Sequence, residues 1–159
     1  MGKLWQKGQE MIGKGDQNAV QNPDTPILFV DDDPIIHRVM AKYLKDWDLT
    51  SVFSGREALA LLEKRNFVIV ITDLKMPGMD GMELLHRIKT TYNNRVQVIV
   101  VTVSDDMDDL VGALDGGASD FLLKPLKKEV LIEVLQHTVL RIGRWNQSLN
   151  LLMNKNTPL

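Results

Sequence analysis

Polar side chains able to do chemistry follow each of the long apolar runs in this chain. Three carboxylates, at positions 31–33, end the apolar run 27–30, and Asp73 ends another. A hydroxyl, Thr102, closes a third run, and an ammonium, Lys124, closes a fourth. Clustered carboxylates repel one another and need a cation, and oxygen ligands without His or Cys select Mg²⁺ over zinc. Because Mg²⁺ binds phosphate oxygens, the set points to phosphoryl chemistry with one carboxylate as the nucleophile.

Elements that could position these side chains alternate regularly along the chain. We predict strands at 27–30, 50–53, 67–72, 96–101 and 121–123. Helices are predicted from Pro34, over 55–65, over 82–92, after an N-cap at Ser104 with acidic residues in its first turn, and from about 127. This βα repeat predicts an α/β fold with a doubly wound, five-stranded parallel sheet. The carboxyl ends of parallel strands share one edge, so the polar side chains should meet there.

Each of these residues also has a simpler interpretation when it is taken alone. Asp73 at a strand end could cap the next helix, an acidic loop is usually solvated, and Lys124 could be a surface residue. Four such residues in the expected places favour a shared site over four separate coincidences. The histidines His37, His86 and His137 all fall in predicted helices, where a packing or surface role is favoured over phosphate donation.

Composition narrows the class of protein. The chain has 159 residues, 44% hydrophobic and 25% charged, which suits one globular domain with short arms. A net charge of −2 gives no electrostatic footprint for nucleic acid, so we expect no direct binding to it. No cysteine is present, which excludes disulfides and thiolate sites. No apolar run is long enough for a membrane span, so a cytoplasmic protein without membrane association is expected.

The motifs together resemble one family. D-D-D-P after the first strand, T-D-L-K-M-P-G-M-D-G after the third, V-T after the fourth and G-A-S-D-F-L-L-K-P at the fifth are similar to the receiver domain of two-component response regulators. The resemblance covers roughly residues 27–141 in the family's order and spacing. It implies a flavodoxin-like, CheY-like (βα)5 fold, here with an extended C-terminal helix.

The resemblance also implies a metal-dependent phosphoacceptor. Asp73 matches the residue that accepts a phosphoryl group from a sensor histidine kinase or a histidine phosphotransfer protein. Asp31 and Asp32 match the acidic pair, with Asp32 binding Mg²⁺ directly and Asp31 usually through water. Lys75 matches the position whose backbone carbonyl completes the metal shell. Such a domain is a switch, not an enzyme, beyond phosphorylating and dephosphorylating itself.

Further positions match the switching residues of the family. Thr102 and Lys124 match the residues that bind the phosphoryl oxygens, and Thr102 reorients on activation. Phe121 matches the aromatic residue coupled to that Thr, and Lys124 begins the family's cis Lys-Pro peptide. Side chains at Lys75 and Ser104 would influence how long the phosphate survives. The changed surface would comprise the fourth helix, the fifth strand and the last helix.

Two alternatives from other classes stay open at this stage. Haloacid-dehalogenase-like phosphatases also carry a strand-end D-x-D, which Asp31 and Asp33 match superficially, but that interpretation leaves Asp73 unexplained. A pure interaction module would use the same fold and would be indifferent to Mg²⁺ and phosphate.

The two ends of the chain form the remainder of the predicted organisation. We expect a flexible arm at 1–25, a receiver domain at 26–143 and an extension of the last helix at 144–159. An apolar stripe runs along the last helix through Leu135, Thr138, Ile142, Trp145, Leu149 and Leu152. We prefer a dimerising or signal-transmitting helix, while packing against Leu4, Trp5 and Ile12 is the alternative. The chain could also be the receiver piece of a longer protein.

Overall fold

The computed structural model describes residues 25–155, and the arm at 1–24, with Leu4, Trp5 and Ile12, lies outside the described residues. The strands are β1 (Pro26–Val30), β2 (Asp48–Val52), β3 (Ile69–Thr72), β4 (Gln97–Thr102) and β5 (Asp120–Leu123). The helices are α1 (Pro34–Tyr43), α2 (Gly55–Leu62), α3 (Gly81–Tyr92), α4 (Met107–Asp115) and α5 (Lys128–Lys155), with a 3₁₀ turn at Asn93–Arg95.

Within this part of the chain the strands form one parallel sheet in the order β2-β1-β3-β4-β5. Chain order and sheet order differ because β1 lies between β2 and β3, which places helices on both faces of the sheet. The predicted doubly wound α/β fold is therefore confirmed.

Two hydrophobic layers enclose the sheet. Alternate residues of the central strands point to opposite faces, as the two-residue period of a strand requires. Leu28, Val70 and Val98 face the layer built with α2, α3 and α4. Ile27 and Ile69 face the layer built with α1 and α5. Because both faces are covered, the central strands are apolar except at their ends, and these continuous apolar runs made them predictable.

The edge strand β2 differs from its predicted bounds. The apolar pattern predicted 50–53, whereas the strand covers Asp48–Val52 and pairs with β1 from Asp48 opposite Pro26 onward. Asp48 is polar, but the Nη2 atom of Arg65 approaches its carboxylate to 2.8 Å. Arg65 also donates to Thr50 Oγ1 at 2.8 Å. Pairing with β1 and the contact with Arg65 accompany the inclusion of Asp48 in the strand, which hydrophobicity alone does not predict.

The last helix changes environment along its length. Leu131, Leu135 and Thr138 are buried against the sheet. Beyond Ile142 the same helix continues with its side chains exposed, including Trp145 at 64% and Leu152 at 60%. Burial therefore changes near residue 142 within one continuous helix. No helix among the described residues is long and apolar enough to cross a membrane.

Candidate functional site

The sheet register brings the predicted polar residues to one edge. Val30 of β1 is paired with Thr72 of β3, so the residues that follow each strand are neighbours. The ladder continues past the strand ends, since the backbone N–H of Asp73 donates to the Val30 carbonyl at 2.9 Å. At the other side the N–H of Lys124 donates to the Thr102 carbonyl at 2.8 Å. These backbone bonds fix the starting points of the site side chains.

Three carboxylates form a cluster at this edge. One carboxylate oxygen from each of Asp31, Asp32 and Asp73 lies within 4.8 Å of the others. Asp31 and Asp73 are buried, whereas Asp32 is exposed. The third aspartate of the acidic loop, Asp33, has another role, because its side chain accepts the N–H of Ile35 at 2.8 Å and caps α1. The cluster thus comprises two of the three loop carboxylates and the one that ends β3.

The ammonium of Lys124 lies against the two buried carboxylates of this cluster. Lys124 Nζ is 2.7 Å from Asp31 Oδ2 and 3.6 Å from Asp73 Oδ2. The Lys124 and Asp31 side chains are 13% and 1% exposed. Ion pairs shielded from water to this degree are weakly screened by salt. Lys124 is 93 residues away from Asp31 in the chain, so the fold alone creates this contact.

Asp73 carries the perturbed ionisation of the cluster. Burial raises the pKa of its carboxyl above the usual value of 3.8, and the negative charge of Asp31 raises it further. Lys124 and the backbone N–H groups of Leu74 and Lys75 act in the opposite direction and only partly offset the burial. The N–H of Leu74 donates to Asp73 Oδ1 at 2.8 Å. The net rise in pKa means that ionised Asp73 lacks sufficient positive charge around it.

The donor set fits a hard divalent cation. The cluster offers carboxylate oxygens only, two buried and one exposed, and Lys124 supplies a single positive charge against three negative ones. Mg²⁺ prefers this chemistry, with a few carboxylates and several retained waters. The residues present therefore fit the ion that the sequence predicted.

Residues 73–80 form the loop between β3 and α3, named the acceptor loop here after the family motif that it carries, and this loop requires glycine close to Asp73. Gly81, the first residue of α3, lies so near the Asp73 backbone carbonyl that a Cβ atom would clash with it. The N–H of Gly81 donates to the Leu74 carbonyl at 2.9 Å, which closes the loop. Gly78 in the same loop has a φ of 75°, a conformation that favours glycine. The P-G-M-D-G motif thus has a backbone explanation.

Thr102 and Ser104 lie beside the acceptor loop. Thr102 is fully buried, and its Oγ1 accepts the N–H of Ser104 at 3.3 Å. Ser104 Oγ donates to Asp109 Oδ2 at 2.6 Å, and Lys75 Nζ is 3.0 Å from the same oxygen. The hydrogen bond from Ser104, followed by that from Lys75, lowers the pKa of Asp109. Asp109 in α4 therefore links the loops after β3 and β4.

The predicted N-cap of α4 was wrong. The helix begins at Met107, and Asp106 caps it by accepting the N–H of Asp108 at 3.0 Å. Ser104 instead accepts the N–H of Asp106 at 3.3 Å and donates to Asp109. Serine and aspartate both cap helices well, so local preference could not choose between positions 104 and 106. In the structure Ser104 contacts Asp109, and Asp106 occupies the cap position.

The remaining predicted residues lie at the β5 side of the site. Phe121 is partly buried and packs against the core layer of α2, α3 and α4. It is paired in register with Val100, two residues before Thr102. The Lys124-Pro125 peptide is cis, as the motif implied. The structure thus gathers Asp31, Asp32, Asp73, Lys75, Thr102, Ser104 and Lys124 around one rim, with Phe121 on the adjoining strand.

One residue of this region, His37, contacts the site in a way that the sequence did not predict. His37, in the first turns of α1, places its Nε2 atom 2.6 Å from the backbone carbonyl oxygen of Asp31. Its ring also stacks on Phe53, with centroids 4.1 Å apart. A packing role was predicted, and the packing is present. Its position just after the acidic loop was the signal that could have connected it to the site.

Comparison with known proteins identifies the family. A family model described as the response regulator receiver domain matches residues 27–136. The chain therefore belongs to the receiver family of two-component response regulators, whose general function is phosphoryl acceptance. The family assignment agrees with the resemblance drawn from the motifs.

Curated relatives are longer than this chain. The two-component response regulator ARR11 of Arabidopsis thaliana is 35% identical over 117 residues, which are 71% of this chain and 22% of that protein. The DNA-binding transcriptional regulator NtrC of Salmonella typhimurium is 32% identical over 130 residues, or 80% and 28% of the two chains. The probable transcriptional regulatory protein TcrX of Mycobacterium tuberculosis is 27% identical over 119 residues, or 74% and 50%. The chain spans about a fifth to a half of these relatives.

Solved structures of isolated receiver domains match almost over their whole length. The receiver domain of a putative Luxo repressor protein from Vibrio parahaemolyticus superposes with a TM-score of 0.73 at 28% identity, covering 78% of this chain and 96% of that one. A CheY-like receiver domain from Methanospirillum hungatei gives 0.72 at 26% identity, covering 76% and 97%. These structures support a CheY-like architecture for residues 27–136, which the family model matches.

Proposed function

We propose that Asp73 is the phosphoacceptor of this receiver domain and that the chain is a phosphorylation-controlled switch. The observation that carries the proposal is the buried Asp73 carboxylate beside Lys124 and Asp31, at the carboxyl edge of the sheet. A carboxylate oxygen of Asp73 attacks phosphorus, and the bond from phosphorus to the donor nitrogen breaks as the acyl phosphate forms. The donor is the phosphohistidine of a sensor histidine kinase or a phosphotransfer protein.

The proposed cation site consists of Asp31, Asp32, Asp73 and the backbone carbonyl of Lys75. Bound Mg²⁺ would supply positive charge for the carboxylates and for the oxygens of the transferred group. Lys124 Nζ lies near enough to Asp73 to contact a phosphoryl oxygen there. With its charge already held between two carboxylates, Lys124 stabilises the added negative charge without rearranging.

We further propose that the switch works through Thr102 and Phe121. The Thr102 hydroxyl, which now accepts the Ser104 N–H, turns to donate to a phosphoryl oxygen. The space that it leaves lets the partly buried Phe121 repack, and the surface of α4, β5 and α5 changes. Phe121 has no hydroxyl, so this coupling operates by packing alone. The phosphoryl group biases an equilibrium between two existing states.

Lys75 and Ser104 are proposed to set the lifetime of the acyl phosphate. Both side chains lie two residues beyond a site residue, and both contact Asp109. Their bonds to Asp109 hold the acceptor loop and the loop after β4 at a fixed spacing. The approach of water to the phosphoryl group would pass between these loops.

The output of the switch is proposed to lie in α5 or in partners. The exposed apolar end of α5, beyond Ile142, is the surface proposed for homodimerisation or for signal transmission to an attached domain. Leu135 and Thr138, the first part of the predicted stripe, are buried in the core, so a dimer seam would begin near Trp145.

The absence of direct nucleic-acid binding and a cytoplasmic location remain predictions. Relatives named as transcriptional regulators are longer than this chain.

Two rival functions make different predictions. The phosphatase interpretation assigns catalysis to Asp31 and Asp33, but Asp33 is engaged as the cap of α1. It predicts release of phosphate from p-nitrophenyl phosphate, which a receiver should not catalyse. The interaction-module interpretation predicts indifference to Mg²⁺ and to phosphate mimics. The buried charge cluster favours the phosphoacceptor over both.

The test combines Mg²⁺ with beryllofluoride and measures binding and molecular mass in solution. The native chain and Asp46→Asn, which removes an exposed carboxylate away from the site, should bind. Asp73→Ala should not bind. A change of association state in the native chain and in Asp46→Asn, but not in Asp73→Ala, would support an output surface on α5. Binding by Asp73→Ala equal to that of the native chain, or no binding by either, would overturn the proposal.

A further inference from the structure

The backbone carbonyl of Asp31 has an aromatic partner. The Nε2 atom of His37 lies 2.6 Å from that oxygen, a short distance for a nitrogen donor. A carbonyl oxygen can only accept, so Nε2 carries the proton and donates. The contact joins the end of β1 to a residue of α1 and thereby spans the acidic loop.

The His37 ring is held in place from two sides. The Phe53 ring stacks on it with centroids 4.1 Å apart and an interplanar angle of 21°. The Phe29 ring meets it edge-on, with centroids 5.0 Å apart at 61°. An imidazole packed between two aromatic rings loses most of its rotational freedom. The two ring contacts therefore favour the orientation in which Nε2–H donates to the Asp31 carbonyl.

Each polar atom of Asp31 takes part in a hydrogen bond. Its Oδ1 accepts the N–H of Asp33 at 2.8 Å, and its Oδ2 accepts from Lys124 Nζ at 2.7 Å. Its own N–H donates to the Val52 carbonyl at 3.3 Å, and its carbonyl accepts from His37. Lys124 and His37 supply the two bonds from side chains, and of these the bond from His37 is the one made to the Asp31 backbone. Removing His37 would free the peptide that connects Asp31 to Asp32.

We infer that His37 is a positioning residue for the cation site, acting through the Asp31 carbonyl to orient the Asp31 and Asp32 carboxylates. The inference rests on the proposed function, since it requires that these carboxylates bind Mg²⁺. A metal binds best to ligands that are already oriented, and partners that orient ligands typically contribute about 10–100-fold to metal affinity. His37 does not touch the ion itself.

The experiment measures Mg²⁺ affinity by calorimetry, without phosphorylation. His37→Phe keeps a ring between Phe29 and Phe53 but has no donor, and it should bind Mg²⁺ about tenfold more weakly. His37→Gln can still donate and should retain more affinity than His37→Phe. His86→Phe, at an exposed position on α3, makes the same substitution away from the site and should bind as the native chain does.

The outcomes separate this inference from the proposed function. If the native chain binds Mg²⁺ and a folded His37→Phe binds equally well, the inference is wrong and the phosphoacceptor proposal stands. If the native chain binds no Mg²⁺, both are wrong. Should His37→Phe fail to fold in a thermal melt, His37→Gln and His37→Met replace it, since they are similar in length and differ in the donor. Equal affinity of these two would also overturn the inference.

Discussion

The carboxyl edge of the sheet and the far end of α5 differ in what they bury and what they expose. At the carboxyl edge, polar groups are buried and satisfied by the chain itself, as in the contacts of Asp31 with Lys124 and His37. Within the described residues no buried side-chain nitrogen or oxygen lacks a hydrogen-bond partner. At the far end of α5, apolar side chains such as Trp145 and Leu149 are exposed. Hydrogen bonds thus satisfy the buried polar atoms at the carboxyl edge, whereas the apolar side chains of α5 beyond Ile142 stay exposed.

The strongest way to break the carboxyl edge is to remove its ammonium. Lys124→Met should lower the free energy of unfolding by about 3 kcal/mol in the absence of Mg²⁺, because two buried carboxylates lose their partner. Urea unfolding with and without Mg²⁺ measures this loss, and Mg²⁺ should restore part of it.

The matched control for Lys124 is a surface pair. Arg87 and Glu83 approach to 2.6 Å but are 52% and 46% exposed. Arg87→Met should therefore reduce the free energy of unfolding by less than about 1 kcal/mol. Comparable losses in the two variants would contradict the view that the site depends on buried charge.

The change of burial along α5 can be tested with one substitution at two places. Leu135→Ala should reduce the free energy of unfolding by about 2–5 kcal/mol, since Leu135 is fully buried. Leu152→Ala should change it by less than about 0.5 kcal/mol, because the side chain is 60% exposed. Chemical denaturation gives both values. If Leu152→Ala proved as destabilising as Leu135→Ala, the outer part of α5 would have a stabilising partner.

The acceptor loop should respond to a single methyl group. Gly81→Ala drives a Cβ atom into the Asp73 carbonyl and should lower the free energy of unfolding by about 1–3 kcal/mol. Gly143→Ala is the control in α5, where a Cβ meets nothing within 4 Å. Alanine is the better helix former, so this control should gain up to about 1 kcal/mol. Thermal melts of both variants measure the contrast, and a neutral Gly81→Ala would contradict it.

The smallest effect concerns the ionisation of Asp73. Its pKa is raised in the folded protein, so the native state holds this proton more tightly than the unfolded state and ionised Asp73 opposes folding. Asp73→Asn should therefore raise the melting temperature at pH 7 without Mg²⁺. The gain should shrink as the pH falls through the raised pKa toward 3.8, because native Asp73 then becomes neutral. A gain that is independent of pH would contradict the raised pKa.

The site residues that end or directly follow a central strand could be predicted from the sequence. The central strands are apolar on both faces, and Asp31, Asp73, Thr102 and Lys124 directly follow or end them, so their shared edge could be predicted. The predictions were wrong at β2, where Asp48 and Leu49 join the edge strand, and at α4, where Asp106 rather than Ser104 is the cap. The bounds of β2 depend on a contact between Asp48 and Arg65, 17 positions away, whereas at α4 the serine and the aspartate are both good caps by local preference.

The sequence by itself determined the family, the sheet class and the set of polar residues at the site, because each depends on local order and spacing. Only the tertiary structure decided which charges meet, such as Lys124 with Asp31 across 93 positions. It also decided that His37 contacts the Asp31 carbonyl and that the apolar stripe of α5 is half core and half surface. Those outcomes depend on distances between separate elements, and such distances are fixed only when the elements pack together.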